Sequence, residues 1–414
     1  ASFDNGYTTC SVGKMHLQGP RWMGGFDHRP YGDLRCNQFP FHQPDPPDTH
    51  DGRWNRHSVG RFPFAGVTQI PESLLVDTVT TREALSFVRE HEYADTEKPW
   101  MLQVGYSRPH FPLTAPGRFV GRALANPSEL PELPSDYPEN LHPHDRFIVD
   151  DFQLTEFSPE VQRNARACYY ACVDFVDHCI GELLDTLQAD GSLEHTYVIY
   201  TSDHGDMAGE HGLWWKRTYY DASARVPLLV SGPDLDAGSQ RDVPVELVDL
   251  FPTLCEIGGI PSPEGLPGES LLSLCQNRSG QASERSKKTA RCDFSNGNRP
   301  MMFRMLRTDR YKLVEFPDAP SRLFDLDADP GETRDLLTDS TSDEDQHGKT
   351  CSEEVDRMAA TLGAAPVWED MISKRAHDLE RWEPSRSFDA TAPAQYALSD
   401  GRVVDSDRFL YNGL

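Results

Sequence analysis

Short apolar runs alternate with amphipathic stretches through roughly the first two thirds of the chain, the pattern of a sheet covered by helices on both faces. Tyr7 to Val12, Trp100 to Val104, Thr196 to Ser202 and Val226 to Val230 are rich in β-branched or aromatic residues and bounded by polar or Gly/Pro punctuation, so they predict buried strands. A long helix is predicted after Ser158-Pro159-Glu160, where a cap residue precedes Pro in the first turn. Its apolar residues recur at Cys168, Cys172, Phe175, Val176, Cys179, Leu183 and Leu187, and Gly191 stops it. Helices are also predicted around Thr81 to Glu90 and Val245 to Ile257, the second only with a kink at Pro252 or a late start. The tracts Pro40 to Asp48 and Pro127 to Pro143 read as long surface loops, because Pro lacks the amide donor and excludes helical geometry before it. Beyond the polar stretch Asn277 to Thr289, Phe303 to Arg307 and Tyr311 to Phe316 alternate about Thr308-Asp309-Arg310 as a hairpin. Thr338 to Glu354, acidic and Ser/Thr-rich, reads as a mobile surface loop. The expected fold class is α/β: an α/β/α sandwich with a mostly parallel, mixed central sheet over residues 1–285, and a C-terminal subdomain with a small antiparallel sheet over residues 286–414.

The length of 414 residues suits a large core with an appendage. Lys and Arg total 40 against 66 Asp and Glu, a formal charge of −26, and that field repels a polyanion, so no nucleic-acid partner is expected. No apolar run approaches the ~20 residues that span a bilayer, so no membrane partner is expected either. The nine cysteines show no Cys-x-x-Cys pair or zinc spacing, and Cys168, Cys172 and Cys179 share one helical stripe, which reads as thiol packing in a core. That usage leans toward a reducing, cytoplasmic compartment. The chain opens on Ala1 rather than Met, so a periplasmic or secreted address stays open.

Candidate chemistry begins at the end of the third strand, where Asp203-His204-Gly205-Asp206 follows Thr196 to Ser202. Ligands of open α/β sheets gather at the carboxyl ends of strands, and an Asp-His pair there offers an oxygen and a neutral nitrogen to a cation. The alternative is a helix cap beside a hydrogen-bonded His. Gly13-Lys14-Met15-His16 follows the first strand and Lys216 lies beyond Asp203, so cationic groups at strand ends could hold a tetrahedral anion against the acidic field. Taken singly, each is equally an ordinary solvated side chain.

These segments resemble the sulfatase family of the alkaline phosphatase superfamily. Gly13-Lys14-Met15-His16-Leu17 is similar to the family's Gly-Lys-x-His element. Asp203-His204-Gly205-Asp206 through Lys216-Arg217-Thr218 resembles its metal and sulfate block, continued by Ala224-Arg225-Val226-Pro227. Arg108-Pro109-His110 resembles the middle His motif, and Leu323-Phe324-Asp325-Leu326 with Asp329-Pro330-Gly331-Glu332 the C-terminal signature. Asp-His rather than Asp-Asn, and Gly-Lys-Met-His followed by Gly19-Pro20, are similar to the choline-sulfatase and phosphonate monoester hydrolase side of the family. The resemblance implies Asp203 and His204 as ligands of a divalent cation, calcium or in some relatives manganese. It implies Lys14, His16, His110 and Lys216 as contacts to the sulfate or the leaving oxygen, with His110 or His16 as the acid. The implied partner is a small-molecule or carbohydrate sulfate ester.

The chain departs from the family in one respect. Relatives open with a strand ending in paired aspartates and a Cys-x-Pro-Ser-Arg sequence whose Cys or Ser becomes formylglycine, and no cysteine here begins that sequence. The Pro-Ser-Arg triplets at 320–322 and 384–386 follow Asp318 and Trp382 and lie in the wrong region. The resemblance therefore leads us to expect a fragment that lacks its first central strand and its formylglycine, inactive alone and poor in metal ligands. A phosphodiester or phosphonate ester hydrolase, or a non-catalytic binder of sulfated ligands, are the alternatives. Trp22, Trp54, Trp214 and Trp215 could line a sugar subsite or simply pack.

Overall fold

The computed structural model describes residues 6–15, 24–30, 62, 65–94, 97–133, 137–276, 288–295, 299–338, 347–363, 368–373, 395–397 and 403–405. In chain order the elements begin with β1 (Thr8–Gly13), β2 (Gly66–Val67), α1 (Val76–Tyr93), β3 (Trp100–Gly105), β4 (Thr114–Ala115) and α2 (Gly117–Ala125). There follow α3 (Pro143–Asp151), α4 (Pro159–Ala189), β5 (Val198–Thr201), β6 (Met207–Ala208), β7 (Trp214–Trp215), α5 (Asp221–Ala224) and β8 (Leu228–Ser231). Next come α6 (Leu250–Ile257), α7 (Leu272–Cys275), β9 (Ala290–Phe294), β10 (Phe303–Arg307), β11 (Tyr311–Glu315) and β12 (Arg322–Asp325). The last are α8 (His347–Leu362), β13 (Gln395–Ala397) and β14 (Val403–Asp405). They fall into two units, one of Ala1–Leu130, Glu156–Glu194 and Leu379–Leu414, the other of Pro131–Thr155 and His195–Asp378.

In the first unit β1 and β3 run parallel in a register from Thr8↔Trp100 to Gly13↔Gly105. A parallel pair needs a crossover, and α1 lies on that connection. Cys10 and Val12 of β1 pack with Phe87 and Val88 of α1 and Leu187 of α4, with Trp100 and Leu102 of β3 against them. The long helix starts as its sequence predicts: the Ser158 hydroxyl accepts from the Val161 amide at 3.4 Å, with Pro159 in the first turn. Its buried stripe contains Cys168, Cys172, Phe175, Val176 and Cys179. Helix α1 begins at Val76, well before the predicted start near Thr81, because its first two turns hide polar residues (Asp77, Thr80 and Thr81) inside the unit.

In the second unit β5 pairs antiparallel with β8, and β6 with β7. Strands β9 to β12 make a four-stranded antiparallel sheet in the order β12-β11-β10-β9, the small C-terminal sheet the hairpin pattern predicts. Pro252 falls in the first turn of α6, so that helix takes the late start its proline requires. The α/β class is thus as expected, but among the described residues the strands expected in one mixed sheet pair two by two, as β1–β3 and β5–β8. Residues 127–142 contain no strand or α-helix among those described, while Pro40 to Asp48 lies outside the described residues. No helix among the described residues is long and apolar enough to cross a membrane.

One expectation fails. The acidic stretch Thr338 to Glu354, read as a loop, enters α8 at His347. Its anchoring residues lie beyond the stretch whose composition suggested a loop: Met358 and Leu362 are buried against Leu306, Leu313 and Leu323, with Val355 and Ala359 beside them. Tertiary burial at helical spacing overrides the local polarity. Met358→Ala is expected to lower unfolding stability by about 2–5 kcal/mol, and Asp356→Ala on the exposed face by less than about 0.5 kcal/mol. Equal denaturation midpoints for the two variants would show that α8 is not docked.

Candidate functional site

Asp203 and His204 follow the carboxyl end of β5. The His204 Nδ1 lies 2.8 Å from the Gly205 carbonyl oxygen. That oxygen can only accept, so Nδ1 carries a proton, which leaves Nε2 as the nitrogen that can ligate a metal when it is unprotonated. This Nε2 stands 3.5 Å from Asp203 Oδ2, an oxygen and a nitrogen close enough to share one cation. The Asp203 carboxylate is additionally held by the His204 amide at 3.1 Å. Glycine is required next: a Cβ on Gly205 would stand 2.1 Å from the Ala222 carbonyl oxygen, and the Gly205 amide donates to Ser223 O at 2.8 Å. The Asp-His tip is thereby fastened to α5. Among the described residues no group of three or more His, Cys, Asp or Glu side chains gathers to hold a metal. The donor chemistry of the pair fits part of such a site.

Between β6 and α5 the backbone is unusually twisted. Gly209, His211, Gly212, Trp215 and Arg217 all have left-handed φ, at 114°, 56°, 71°, 72° and 80°. For three non-glycine residues this stores strain of order 1–3 kcal/mol each. The half-buried Lys216 lies between two of them. Gly212 cannot be replaced, since a Cβ there would meet the Tyr137 ring at 2.3 Å.

A buried polar scaffold in the same unit holds this segment. Asp145 of α3 accepts from the Tyr220 hydroxyl at 2.8 Å and from the Arg322 guanidinium at 3.2 Å, and Arg322 reaches the Tyr219 oxygen at 2.7 Å. Burial, reinforced by Asp145, pushes both phenols well above their usual range, so they remain neutral donors. Lys312 of β11 bonds Glu332 at 2.5 Å, the Asp221 carboxylate, and Tyr219 O at 3.2 Å, while the Asp221 amide donates to Glu332 at 2.6 Å. Burial opposes ionisation of Asp221, but Lys312 and Arg307 outweigh it and hold its carboxyl below the ordinary value. Burial leaves Glu332 raised despite Lys312. His144, also buried on α3, bonds Pro300 O through Nδ1 at 3.1 Å and packs on Tyr219, Phe303 and Phe316.

In the first unit Lys14 and the loop bearing His110 leave the carboxyl ends of the paired parallel strands β1 and β3. The Lys14 amide donates to Gly105 O at 2.7 Å. Gly13 has φ 84°, and a Cβ there would stand 2.2 Å from that same oxygen. His110 Nδ1 lies 2.9 Å from Phe111 O, and because that oxygen can only accept, Nδ1 carries a proton. The structure therefore places Lys14 with His110 in one unit, and Asp203, His204 and Lys216 in the other; His16 lies outside the described residues.

Two aromatic candidates are resolved as packing: Trp214 and Trp215 are buried, whereas Trp22 and Trp54 lie outside the described residues. Cys10 is core, its thiol pushed up to about 12 by burial and then by Glu83 and Glu90, which disqualifies it as a nucleophile. Asp145 and Lys312 carried no sequence signal, since a lone charged residue reads as solvated; Arg322 stood only in a Pro-Ser-Arg triplet in the wrong region, and Glu332 within the C-terminal signature.

Each unit thus carries candidate residues at strand ends of an α/β scaffold, Lys14 and His110 in one and Asp203, His204 and Lys216 in the other. A family model described as Sulfatase matches residues 4–260, and one described as N-sulphoglucosamine sulphohydrolase, C-terminal, matches residues 209–359. The chain belongs to the sulfatase family. It is 31% identical to choline-sulfatase of Rhizobium meliloti (strain 1021) over 353 residues, 82% of this chain and 67% of that protein. It is 33% identical to arylsulfatase K of Homo sapiens over 278 residues, 62% of this chain and 51% of that protein, so it spans about half the length of that relative. The phosphonate monoester hydrolase of Silicibacter pomeroyi shares the fold with a TM-score of 0.66 at 21% identity, covering 98% of this chain and 82% of that one. A protein solved in complex with its substrate D-glucosamine-2-N,6-O-disulfate shares it with a TM-score of 0.61 at 18% identity, covering 93% and 82%.

The scaffold beneath Lys216 makes a pH prediction. Burial depresses His144 from 6.5 to about 4, with Asp145 partly opposing. The unfolded chain therefore takes up a proton near pH 6.5 that the folded chain refuses until about pH 4, so stability present above pH 6.5 is lost as the pH falls through that window. The loss amounts to about 3 kcal/mol. His144→Phe is expected to flatten the dependence of unfolding free energy on pH between 6.5 and 4; an unchanged slope would remove His144 as its source.

Proposed function

We propose that this chain provides the cation-binding and sulfate-binding parts of a sulfuric ester hydrolase acting on a small-molecule or carbohydrate sulfate. The observation that carries the reading is the Asp203–His204 tip. Its His tautomer and the 3.5 Å separation of Oδ2 and Nε2 suit a shared divalent cation, in a chain of the sulfatase family. Calcium is the proposed ion, with manganese the alternative for an Asp-His pair. When bound, the cation supplies Lewis acidity that offsets charge on a sulfuryl oxygen.

The roles proposed for this chain's own residues follow from charge. Lys14 and Lys216 neutralise the sulfate, whose approach the net charge of −26 opposes. His110, with its proton fixed on Nδ1, can take a second proton on Nε2 and deliver it to the departing alcohol oxygen. His16 is the alternative donor. The chain contains no Cys-x-Pro-Ser-Arg, so the attack on sulfur is assigned to none of its residues.

In the full-length protein Asp203→Ala is expected to lower the bound divalent metal measured by elemental analysis, and equal metal in variant and parent would reject the ligand assignment. Lys216→Ala is expected to slow turnover of an aryl sulfate by about ten-fold or more. Faster turnover of an aryl phosphonate than of the sulfate by the parent would replace the sulfatase reading with phosphonate ester hydrolysis.

A further inference from the structure

The loop that carries His110 is held by a pair of buried charges to which no role has been given. Asp77, in the first turn of α1, is 0% exposed and Arg108 is 6% exposed. Asp77 Oδ1 accepts the Ser107 amide at 2.6 Å and the Arg108 amide at 3.2 Å, and Oδ2 accepts the Arg108 guanidinium at 2.5 Å. The same guanidinium donates from Nε to Thr114 O at 2.8 Å, on the far side of His110, and lies over the Phe175 ring at 5.6 Å. Both ends of the loop are thus tied through one carboxylate and one guanidinium. Inside it the His110 amide donates to Ser107 O at 3.2 Å, and the ring donates to Phe111 O.

We infer that the Asp77–Arg108 ion pair is a positioning device for His110, fixing the loop so that the ring keeps its proton on Nδ1 and aims Nε2 at the reacting oxygen. A buried pair is a weak source of stability, since an apolar pair of equal volume does as well once desolvation is counted. What the charges add is direction: the Asp77 carboxylate accepts three donors while the guanidinium fork reaches Thr114 O with its Nε. The first turn of α1 serves the neighbouring strand end as well, for Thr80 lies against Gly13, where an added Cβ would stand 2.8 Å from its methyl carbon. One helical turn therefore backs both the Lys14 and the His110 strand ends. Asp77 and Arg108 touch no reacting atom and are positioning residues.

The inference rests on the proposed role of His110, and the test separates the two. In the full-length protein Asp77→Asn keeps the shape and removes the charge. The expected result is loss of the Nδ1–H signature in the nitrogen shifts of the His110 ring, with kcat on an aryl sulfate lowered by about 10- to 100-fold and KM little changed. The double variant with His110→Ala is expected to be no slower than His110→Ala alone. Unaltered His110 ring shifts in Asp77→Asn, or additive losses in the double variant, overturn the positioning role. Full activity in His110→Ala would instead remove His110 from the reaction, and the ring shifts would still decide whether Asp77 sets its tautomer. If Asp77→Asn does not fold, Arg108→Lys keeps the charge but lacks the fork; it is expected to show the same change in the ring shifts, and unaltered shifts there overturn the inference.

Discussion

The arrangement of the second unit turns on one constraint: the ammonium of Lys312 is entirely shielded from solvent and must be neutralised where it stands. An uncompensated charge at such a depth would cost several kcal/mol. Glu332 and Asp221 meet the requirement from two directions, and Tyr219 adds a carbonyl oxygen. The three partners come from the segment just after Lys216 and from the turn after β12. Neutralising one lysine therefore fixes the C-terminal sheet and the candidate sulfate-binding segment to each other. Glu332 itself adopts a left-handed φ of 56°, a conformation uncommon for residues other than glycine.

That fastening explains how a strained backbone around Lys216 persists. His211, Trp215 and Arg217 hold conformations that would relax in an isolated peptide, and relaxation is blocked because the residues on either side are anchored. Upstream, Gly209 donates to Leu213 O and Trp214 is buried; downstream, Tyr219 and Tyr220 are fixed by Asp145 and Arg322. The aromatic rings supply the burial and the hydroxyls supply direction. This is an arrangement in which the stability of the unit maintains the shape of the site.

Much of this was legible in the sequence where local rules act alone. The Ser158-Pro159 start of α4, the hairpin about Thr308 to Arg310 and the late start of α6 at Pro252 follow from capping, alternation and proline chemistry. The sequence was silent where a residue's role depends on a distant partner. Asp77 is an ordinary polar residue until Arg108 is beside it, and that hidden partner is why the first turn of α1 escaped prediction. The helix at His347 escaped because its apolar anchors begin only at Val355. Among the candidate site residues, Asp203, His204, Lys14, His110 and Lys216 stand out in the sequence as types at strand ends, whereas tautomers and backbone strain have no expression in residue identity.

The two histidines show why that loop geometry matters. His110 and His204 lie in different units, yet each bonds the carbonyl of the residue that follows it, Phe111 and Gly205, through Nδ1. A ring so bonded is decided by its own backbone. A rotation of one peptide plane would lose that hydrogen bond. Such a device works only on a backbone that cannot drift, and both loops have stops of the required kind: Gly205 lies against the Ala222 carbonyl, and the His110 loop is tied at Ser107, Arg108 and Thr114. The carbonyl that each Nδ1 meets is therefore held in place by contacts of the backbone around it, and the chemistry proposed for each Nε2 depends on the residues that make them.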